Sequence, residues 1–513
     1  MNNIFKVLVG AGFAIAVAFY ASNLIGNTPH GGFLILAAVF GAYMAMNIGA
    51  NDVANNVGPA VGAGALSIGG AIVIASLFEA GGALVAGGDV VGTIKKGIIN
   101  PSAFGGDPMI FVYAMSAALL AAALWLNLAT WLKAPVSTTH SIVGGVLGGG
   151  IAAGGFSIVS WGTMGKIAAS WVISPVLGGI IAAGFLYVIK SKIVYQEDKL
   201  AAAKKVVPIL VAIMAAAFVT YLTIKGLKKV WPVIVDIISF LPQTKKPSIF
   251  VALGFGMIAA VITYLVVKPK IANRVPSMEN TRASINLLFT IPLIFSAALL
   301  SFAHGANDVA NAVGPLAAVN DALTSLEVSK KAAIPLWVML VGGIGISIGL
   351  ALFGPRLIKT VGSEITELDQ MRAFSIMMAA SITVVIASQL GLPVSSTHIA
   401  VGAIFGVGFL REWLDSKEMT EKQEKLQQEV AKHSELKASL SQMKTEENYK
   451  EQVELIAMTK AQKKKVKALK RAVRENYVKR GMVKKIIAAW VITVPVAASL
   501  SGVIFFVIKG LSS

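Results

Sequence analysis

Long apolar runs separated by short polar loops recur along almost the whole chain, and they set its class before any single residue is considered. The runs lie at about 3–24, 31–48, 68–87, 109–132, 167–189, 206–224, 248–267, 285–303, 332–353, 373–390 and 486–508. As helices, they have the roughly 20 residues needed to cross a hydrocarbon core of about 30 Å. Two further stretches, about 135–154 and 393–410, are shorter, rich in Gly, and open on Pro and hydroxyl residues, which predicts re-entrant elements. The expected fold is an all-α membrane protein with about 11–12 transmembrane helices and two re-entrant hairpins. Lys6 before the first run resembles the start of a signal peptide, but Val7 to Leu24 is long for such a core and Asn27-Thr28-Pro29-His30 is a poor cleavage site. A retained helix is expected.

The polar interruptions repeat. Gly49 to Pro59 reads GANDVANNVGP and Gly305 to Pro315 reads GANDVANAVGP, with Asn56 replaced by Ala312 at an offset of 256 residues. Downstream, Ala134-Pro135-Val136-Ser137-Thr138-Thr139-His140 matches Leu392-Pro393-Val394-Ser395-Ser396-Thr397-His398 at an offset of 258. Trp171-Val172-Ile173 matches Trp490-Val491-Ile492 at 319, the jump coming from a charged insertion at about 411–485. The chain therefore reads as an extra helix (1–30), a first repeat (31–190), connecting helices (191–284), a second repeat (285–410 and 486–513) and the insertion between its parts.

Charge changes the picture by orienting these repeats. The insertion has 20 Lys or Arg against 12 Asp or Glu, whereas the corresponding first-half loop, Gly155 to Lys166, has one Lys and no acid. Basic loops stay cytoplasmic, so equivalent loops fall on opposite sides and the repeats are inverted. The N-terminus and insertion are expected in the cytoplasm, the C-terminus outside, and the chain in the inner (plasma) membrane. The formal net charge of +19 then reports topology rather than nucleic-acid binding. At 56% hydrophobic and 14% charged residues, with a mean hydropathy of +0.74, no soluble class fits. Without cysteine there is no disulfide, thiolate metal site or Cys nucleophile.

The strings also carry the candidate chemistry. Asn and Asp beside Gly and Pro favour helix ends, so each GANDVANxVGP is expected to break its helix. Amides freed at a half-helix N-terminus attract anions, and Ser137, Thr138, Thr139, Ser395, Ser396 and Thr397 add hydroxyl donors suited to a tetrahedral oxyanion. The strings hold no Lys or Arg, yet contain Asp52 and Asp308. Two buried carboxylates and an anion repel one another unless a cation enters with them or the carboxylates take protons. The membrane potential makes the same demand, at about 2.3 kcal/mol per charge per 100 mV. Cation-coupled anion symport meets both constraints.

With these motifs in view, GANDVANNVGP, GANDVANAVGP, PVSTTH and PVSSTH resemble the duplicated signatures of the inorganic phosphate transporter (PiT) family over nearly the whole chain. The resemblance implies phosphate uptake driven by Na⁺ or H⁺, discontinuous helices and hairpins, no enzymatic activity and a homodimer in the lipid bilayer. It implies phosphate contacts from Ser137, Thr138, Thr139, Ser395, Ser396, Thr397, Asn51 and Asn307. Coupling falls to Asp52, Asn55, Asp308, Asn311 and Glu79, with Na⁺ at Asp52, Asp308, Asn51 and Asn307 and no other cofactor. Two full strings favour the Na⁺-coupled branch. Met115 and Met377 stand where that branch has glutamates, which leaves H⁺ coupling open, and sulfate is a competing oxyanion. A hydrolase has no HExxH or GxSxG motif to support it.

His140 and His398 read either as proton relays or as packing residues that hold the hairpins. The insertion reads as two amphipathic helices, about 412–445 and 446–484, with a seam of Leu426, Val430, Leu436, Leu440, Val453, Leu455 and Ile456. Its uses range from a plain helical hairpin to a docking or dimerisation element, or a lipid-facing surface through Lys463-Lys464-Lys465.

Overall fold

The structure is a computed structural model that describes residues 3–25, 30–100, 104, 107–132, 134, 136–228, 230–239, 241–325, 334–364, 368–414, 416–442, 449–473 and 480–512. Nineteen α-helices run through these residues. The first seven are α1 (Asn3–Ile25), α2 (Gly31–Gly62), α3 (Ile68–Ala86), α4 (Gly88–Lys96), α5 (Pro108–Trp131), α6 (Thr138–Gly154) and α7 (Trp161–Ile189). The connecting part holds α8 (Lys199–Gly226), α9 (Trp231–Ile237), α10 (Ile249–Arg274) and α11 (Arg282–Leu288). The second half holds α12 (Thr290–Asp308), α13 (Ala310–Ser325), α14 (Leu336–Glu364), α15 (Gln370–Gln389), α16 (Ser396–Leu414), α17 (Ser416–Gln442), α18 (Tyr449–Val473) and α19 (Arg480–Ser512). Among the described residues, eleven helical spans are long and apolar enough to cross a bilayer, as expected of the eleven apolar runs.

Local chemistry sets many of the helix starts. Asp107 accepts the amide of Met109 and Pro108 fills the first turn of α5, while Ser67, Ser137, Asp198 and Asp369 cap α3, α6, α8 and α15 with side-chain oxygens. Asp369 also meets Arg372 at 3.0 Å and Arg282 at 2.9 Å. Burial pushes its carboxyl up, but hydrogen bonds and charge from Arg372, with the charge of Arg282, outweigh this and hold it below the ordinary carboxylate value.

The two halves interlock at glycines. An added Cβ on Gly49 of α2 would lie 1.9 Å from the carbonyl oxygen of Ile346 in α14, and one on Gly305 of α12 would lie 2.1 Å from that of Glu79 in α3. Each GANDVAN helix thus packs backbone to backbone on a helix of the other half, at a distance only Gly permits. The hairpin helices are exchanged in the same way: Gly402 of α16 abuts Pro175 of α7, and Gly148 of α6 abuts Ala498 of α19.

The first GANDVAN string departs from the expectation of a broken helix. α2 runs from Gly31 to Gly62 without interruption, whereas the second string is divided, α12 ending at Asp308 and α13 starting at Ala310. Asn51, Asp52 and Asn55 bond outward to other helices and do not cap their own backbone, which leaves the i→i−4 ladder of α2 intact; Asn307, Asp308 and Asn311 bond outward in the same way, and the division there is the single residue Val309, itself helical in φ and ψ. The discontinuities occur at the PVS(T/S)TH strings, between α5 and α6 and between α15 and α16. The re-entrant unit is larger than the stretch 135–154 alone: Gly145 packs on Ala118 and Gly149 on Ala114, so α5 and α6 form one antiparallel hairpin with the string at its tip. Pro135 and Lys133 lie outside the described residues.

Contacts divide the chain into two compact units, Met1–Val407 with Gly481–Ser513, and Gly408–Arg480. Within the second, α17 and α18 pair, with Gln462 donating to the Glu429 carboxylate at 2.6 Å and Lys465 meeting it at 2.8 Å. Val453 and Ile456 correct the expected seam: each is 49% exposed, because the inward stripe of α18 passes through Leu455, Thr459 and Val466 at helical spacing. Of the expected second helix, 446–484, the described residues show α18 from Tyr449 to Val473 and α19 from Arg480, and residues 446–448 and 474–479 lie outside the description.

Candidate functional site

Asp52 and Asp308 meet at the centre of the first unit, both fully buried, with the N-terminal turns of α6 and α16 facing them from opposite halves. Thr138 donates to Asp52 Oδ2 at 2.7 Å and Thr397 donates to Asp52 Oδ1 at 3.2 Å, so this carboxylate is held by both hairpins. Asp308 has the mirrored arrangement, accepting from Ser396 at 3.0 Å and from Thr139 at 3.3 Å. Asn55 donates to Thr397 at 2.9 Å, and Asn311 donates to Thr138 at 3.3 Å and Thr139 at 3.2 Å. Each Asp and each second Asn thus reaches across to the opposite half. Four of the six hydroxyls expected at the site, with Asp52, Asp308, Asn55 and Asn311, form one hydrogen-bonded cluster.

The other expected residues sit one step away. Ser137 and Ser395 accept the amides of His140 and His398 at 3.1 and 3.2 Å, which caps α6 and α16 and aims their first turns inward. Asn51 donates to Thr130 at 3.0 Å and to the Ala134 carbonyl at 3.5 Å. Asn307 does the same to Ser388 at 2.9 Å and the Leu392 carbonyl at 3.2 Å. The first Asn of each string therefore clamps the chain leading into a hairpin tip. Met115 and Met377 are fully buried in α5 and α15.

His304 is the residue that sequence reasoning missed. Its Nε2 lies 2.7 Å from Asp308 and 3.5 Å from Asp52, and its Nδ1 lies 3.4 Å from Glu79 Oε2, all fully buried. Glu79 in turn accepts from Asn56 at 2.8 Å. The signal was present in the sequence: Ile48 immediately precedes the first string and His304 the second, a polar-for-apolar exchange next to matched strings. Glu79, expected from its place in α3, therefore joins the site through His304.

His140 and His398 are packing elements at the meeting point of the hairpins. The His140 ring lies 3.7 Å from the Trp171 ring, His398 lies 3.5 Å from Trp490, and the two imidazoles are 4.4 Å apart edge to face.

The site can bind charge of either sign. Two helix N-termini and their hydroxyls offer donors, while Asp52, Asp308 and His304 offer atoms within 4.8 Å of one another that could hold a cation. The amide oxygens of Asn51, Asn56 and Asn311 are buried acceptors without a protein donor. Buried acceptors of this kind suit a hard cation such as Na⁺.

Comparison with known proteins identifies the family. The chain is 48% identical over 518 residues to a candidate phosphate permease of Helicobacter pylori strain J99, covering 98% of this chain and 94% of that protein. It is 38% identical to one from Pyrococcus abyssi, over 74% of this chain and 89% of that protein. Its fold matches a solved sodium-dependent phosphate transporter with a TM-score of 0.74 and 31% identity, covering 94% of this chain and 100% of the other. These relatives are transporters and not enzymes, as the absence of hydrolase motifs anticipates. Residues 48–501 match the phosphate transporter family, and this multi-pass membrane protein belongs to it.

Proposed function

We propose that the protein imports inorganic phosphate by symport with Na⁺, using alternating access at the Asp52–Asp308 site. One observation supports the reading: two carboxylates, Asp52 and Asp308, and the orphan amide oxygen of Asn311 belong to the same buried cluster as two hydroxyl-bearing helix N-termini. Na⁺ is cargo here, with Asp52 and Asp308 as its charged ligands and the amide of Asn311 beside them. Neutralising the carboxylates frees Thr138, Thr139, Ser396 and Thr397 to donate to phosphate, which couples the two cargoes electrostatically. Coupling of this kind needs no Lys or Arg at the centre. The solved neighbour's sodium dependence supports the choice of cation.

His304, set among Asp52, Asp308 and Glu79, supports H⁺ as an alternative coupling ion. Sulfate offers the same oxygens but no proton to donate at neutral pH, so a site with two carboxylates favours phosphate. The working form is proposed as a homodimer in the inner membrane, with the N-terminus and the 411–485 insertion in the cytoplasm.

Proteoliposomes containing the protein test the choice of cargo and coupling ion. Radiolabelled phosphate should accumulate under an inward Na⁺ gradient, with sulfate a poor competitor. Accumulation under a proton gradient alone would transfer the coupling to H⁺, and accumulation under neither would refute symport.

A further inference from the structure

A nine-residue helix, α4, stands over the approach to Asp308. Its Asp89 is ion-paired with Lys225 of α8 and meets Lys228 at 3.1 Å, and its Thr93 donates to the Gly391 carbonyl at 2.7 Å. Gly391 leads into the PVSSTH string, and the Leu392 carbonyl beside it accepts from Asn307. Side-chain exposure falls from 48% at Lys228 to 35% at Asp89 and 6% at Lys225, so these charges mark the outer end of a closed path. Behind them the closure continues inward. Lys225 also donates to the Ser388 carbonyl at 3.4 Å, and the Ser388 hydroxyl accepts from Asn307. One turn back along α8, Tyr221 is buried with Phe302, Ala86 and Ala306, and Ala306 stands two residues before Asp308.

The inner edge of α4 is fastened more firmly. Lys95 is ion-paired with Asp321 of α13, both buried, and Ile94 packs on Gly314, where an added Cβ would lie 2.7 Å from it. α4 therefore goes with the helix that starts just after Asp308, while part-exposed polar contacts join it to α8 and Gly391. The other half builds the matching element differently. An added Cβ on Gly87, between α3 and α4, would lie 2.6 Å from Val309, and one on Gly354 of α14 would lie 2.5 Å from Val53. Val53 and Val309 hold the same place in the two strings, so Gly354 is the counterpart of Gly87. At Gly87 the chain divides into helices of 19 and 9 residues, whereas α14 runs through Gly354 as one helix of 29 residues. Equivalent elements thus take two shapes in one structure, and Gly87 has the place of a hinge.

We infer that α4 is a gate, hinged at Gly87 and latched shut by the Asp89–Lys225 pair, which must part from α8 before cargo can pass on the Asp308 side. Its place in transport rests on the alternating-access reading above, whereas hinge and latch rest on the contacts themselves. Parting the pair returns both charges to water at the mouth, so opening strands neither. Because α4 is fastened to α13, an ion bound at Asp308 acts on the gate through the helix that starts beside it. Occupancy of the site thereby gains a means of biasing which side is open.

The chain has no cysteine, so introduced thiols are the only ones that react. Ala86→Cys places a reporter behind the latch, where Ala86 is 7% exposed. Adding Asp89→Asn with Lys225→Gln removes the pair without leaving either charge alone. In detergent, a charged methanethiosulfonate should then label position 86 at least about fivefold faster, as the closed population falls. A labelling rate unchanged by loss of the pair would overturn the latch. The motion is tested by Asp89→Cys with Lys225→Cys, joined by a short bis-methanethiosulfonate and verified by intact mass. The bridged protein should take up phosphate at least about tenfold more slowly than the same protein after reduction, which also serves as the folding control. Uptake that the bridge leaves unchanged would overturn the gate. If wild-type protein accumulates no phosphate, the symport reading falls, whereas the labelling comparison still decides whether α4 opens.

Discussion

The two GANDVAN strings differ at a single residue, and this difference and those in the elements around them fall where they alter chemistry. Three polar residues, Asn56, Glu79 and His304, form a chain on one side of the site. Their counterparts in the other half are Ala312, Ile346 and Ile48: two follow from the 256-residue offset, and Ile346 takes the place of Glu79 against the Gly49 backbone. Duplicated residues hold the substrate symmetrically, while the unpaired polar chain gives one half an ionisable arm. Binding a tetrahedral anion from two sides needs the symmetry. Distinguishing an empty from a charged site gains from its loss, because a lone imidazole among three carboxylates makes their charge state depend on what is bound.

The largest expected effect lies on the symmetric part. Asp52→Asn and Asp308→Asn should each reduce Na⁺-driven phosphate uptake at least about a hundredfold, since each removes a proposed cation ligand at a buried site, with the folded protein recovered by size-exclusion chromatography. An Asp52 variant that transports normally would erase the central pair. Next in size is the steric contact that holds the halves together. Gly49→Val places side-chain carbon inside the Ile346 carbonyl contact and should lower the melting temperature in detergent by many degrees, while Gly12→Val, which meets nothing within 4 Å, should leave it unchanged.

The polar arm should show a smaller and more specific effect. His304→Gln should leave phosphate binding within about tenfold of wild type but flatten the dependence of uptake on pH, as the cluster's imidazole is lost. A wild-type pH profile in that variant would remove His304 from coupling. Smaller still is a stability effect outside the spans. Because the Asp369 carboxyl is held below its ordinary value in the fold, its contribution is present above that ordinary value, near pH 4, and is lost as the pH falls through the lowered one. Asp369→Asn should remove this part of the acid-side decline in thermal stability and change uptake at neutral pH little.

Much of this architecture was legible in the sequence because it is written twice. Apolar length located the spans, and the duplicated strings located Asp52, Asp308 and the hydroxyl runs. The error at the first string came from treating Asn as a helix terminator. Asn51 and Asn55 instead find partners on α5 and α16, which local propensity cannot register, and α2 stays whole. His304 escaped because attention to what the strings share hides the residue by which their flanks differ. The exchange of α7 and α19 between hairpins depends on Gly402 and Gly148 meeting distant backbones, and such pairings are tertiary information.

The central claim is that cation and phosphate meet at Asp52 and Asp308, and reciprocal binding tests it most directly. Titration calorimetry of phosphate into purified protein, with and without Na⁺, should show Na⁺ tightening phosphate and phosphate tightening Na⁺ by the same factor, as linkage requires. Asp52→Asn should abolish that factor. Phosphate affinity independent of Na⁺ in the wild type, or an unchanged coupling factor in Asp52→Asn, would contradict the account.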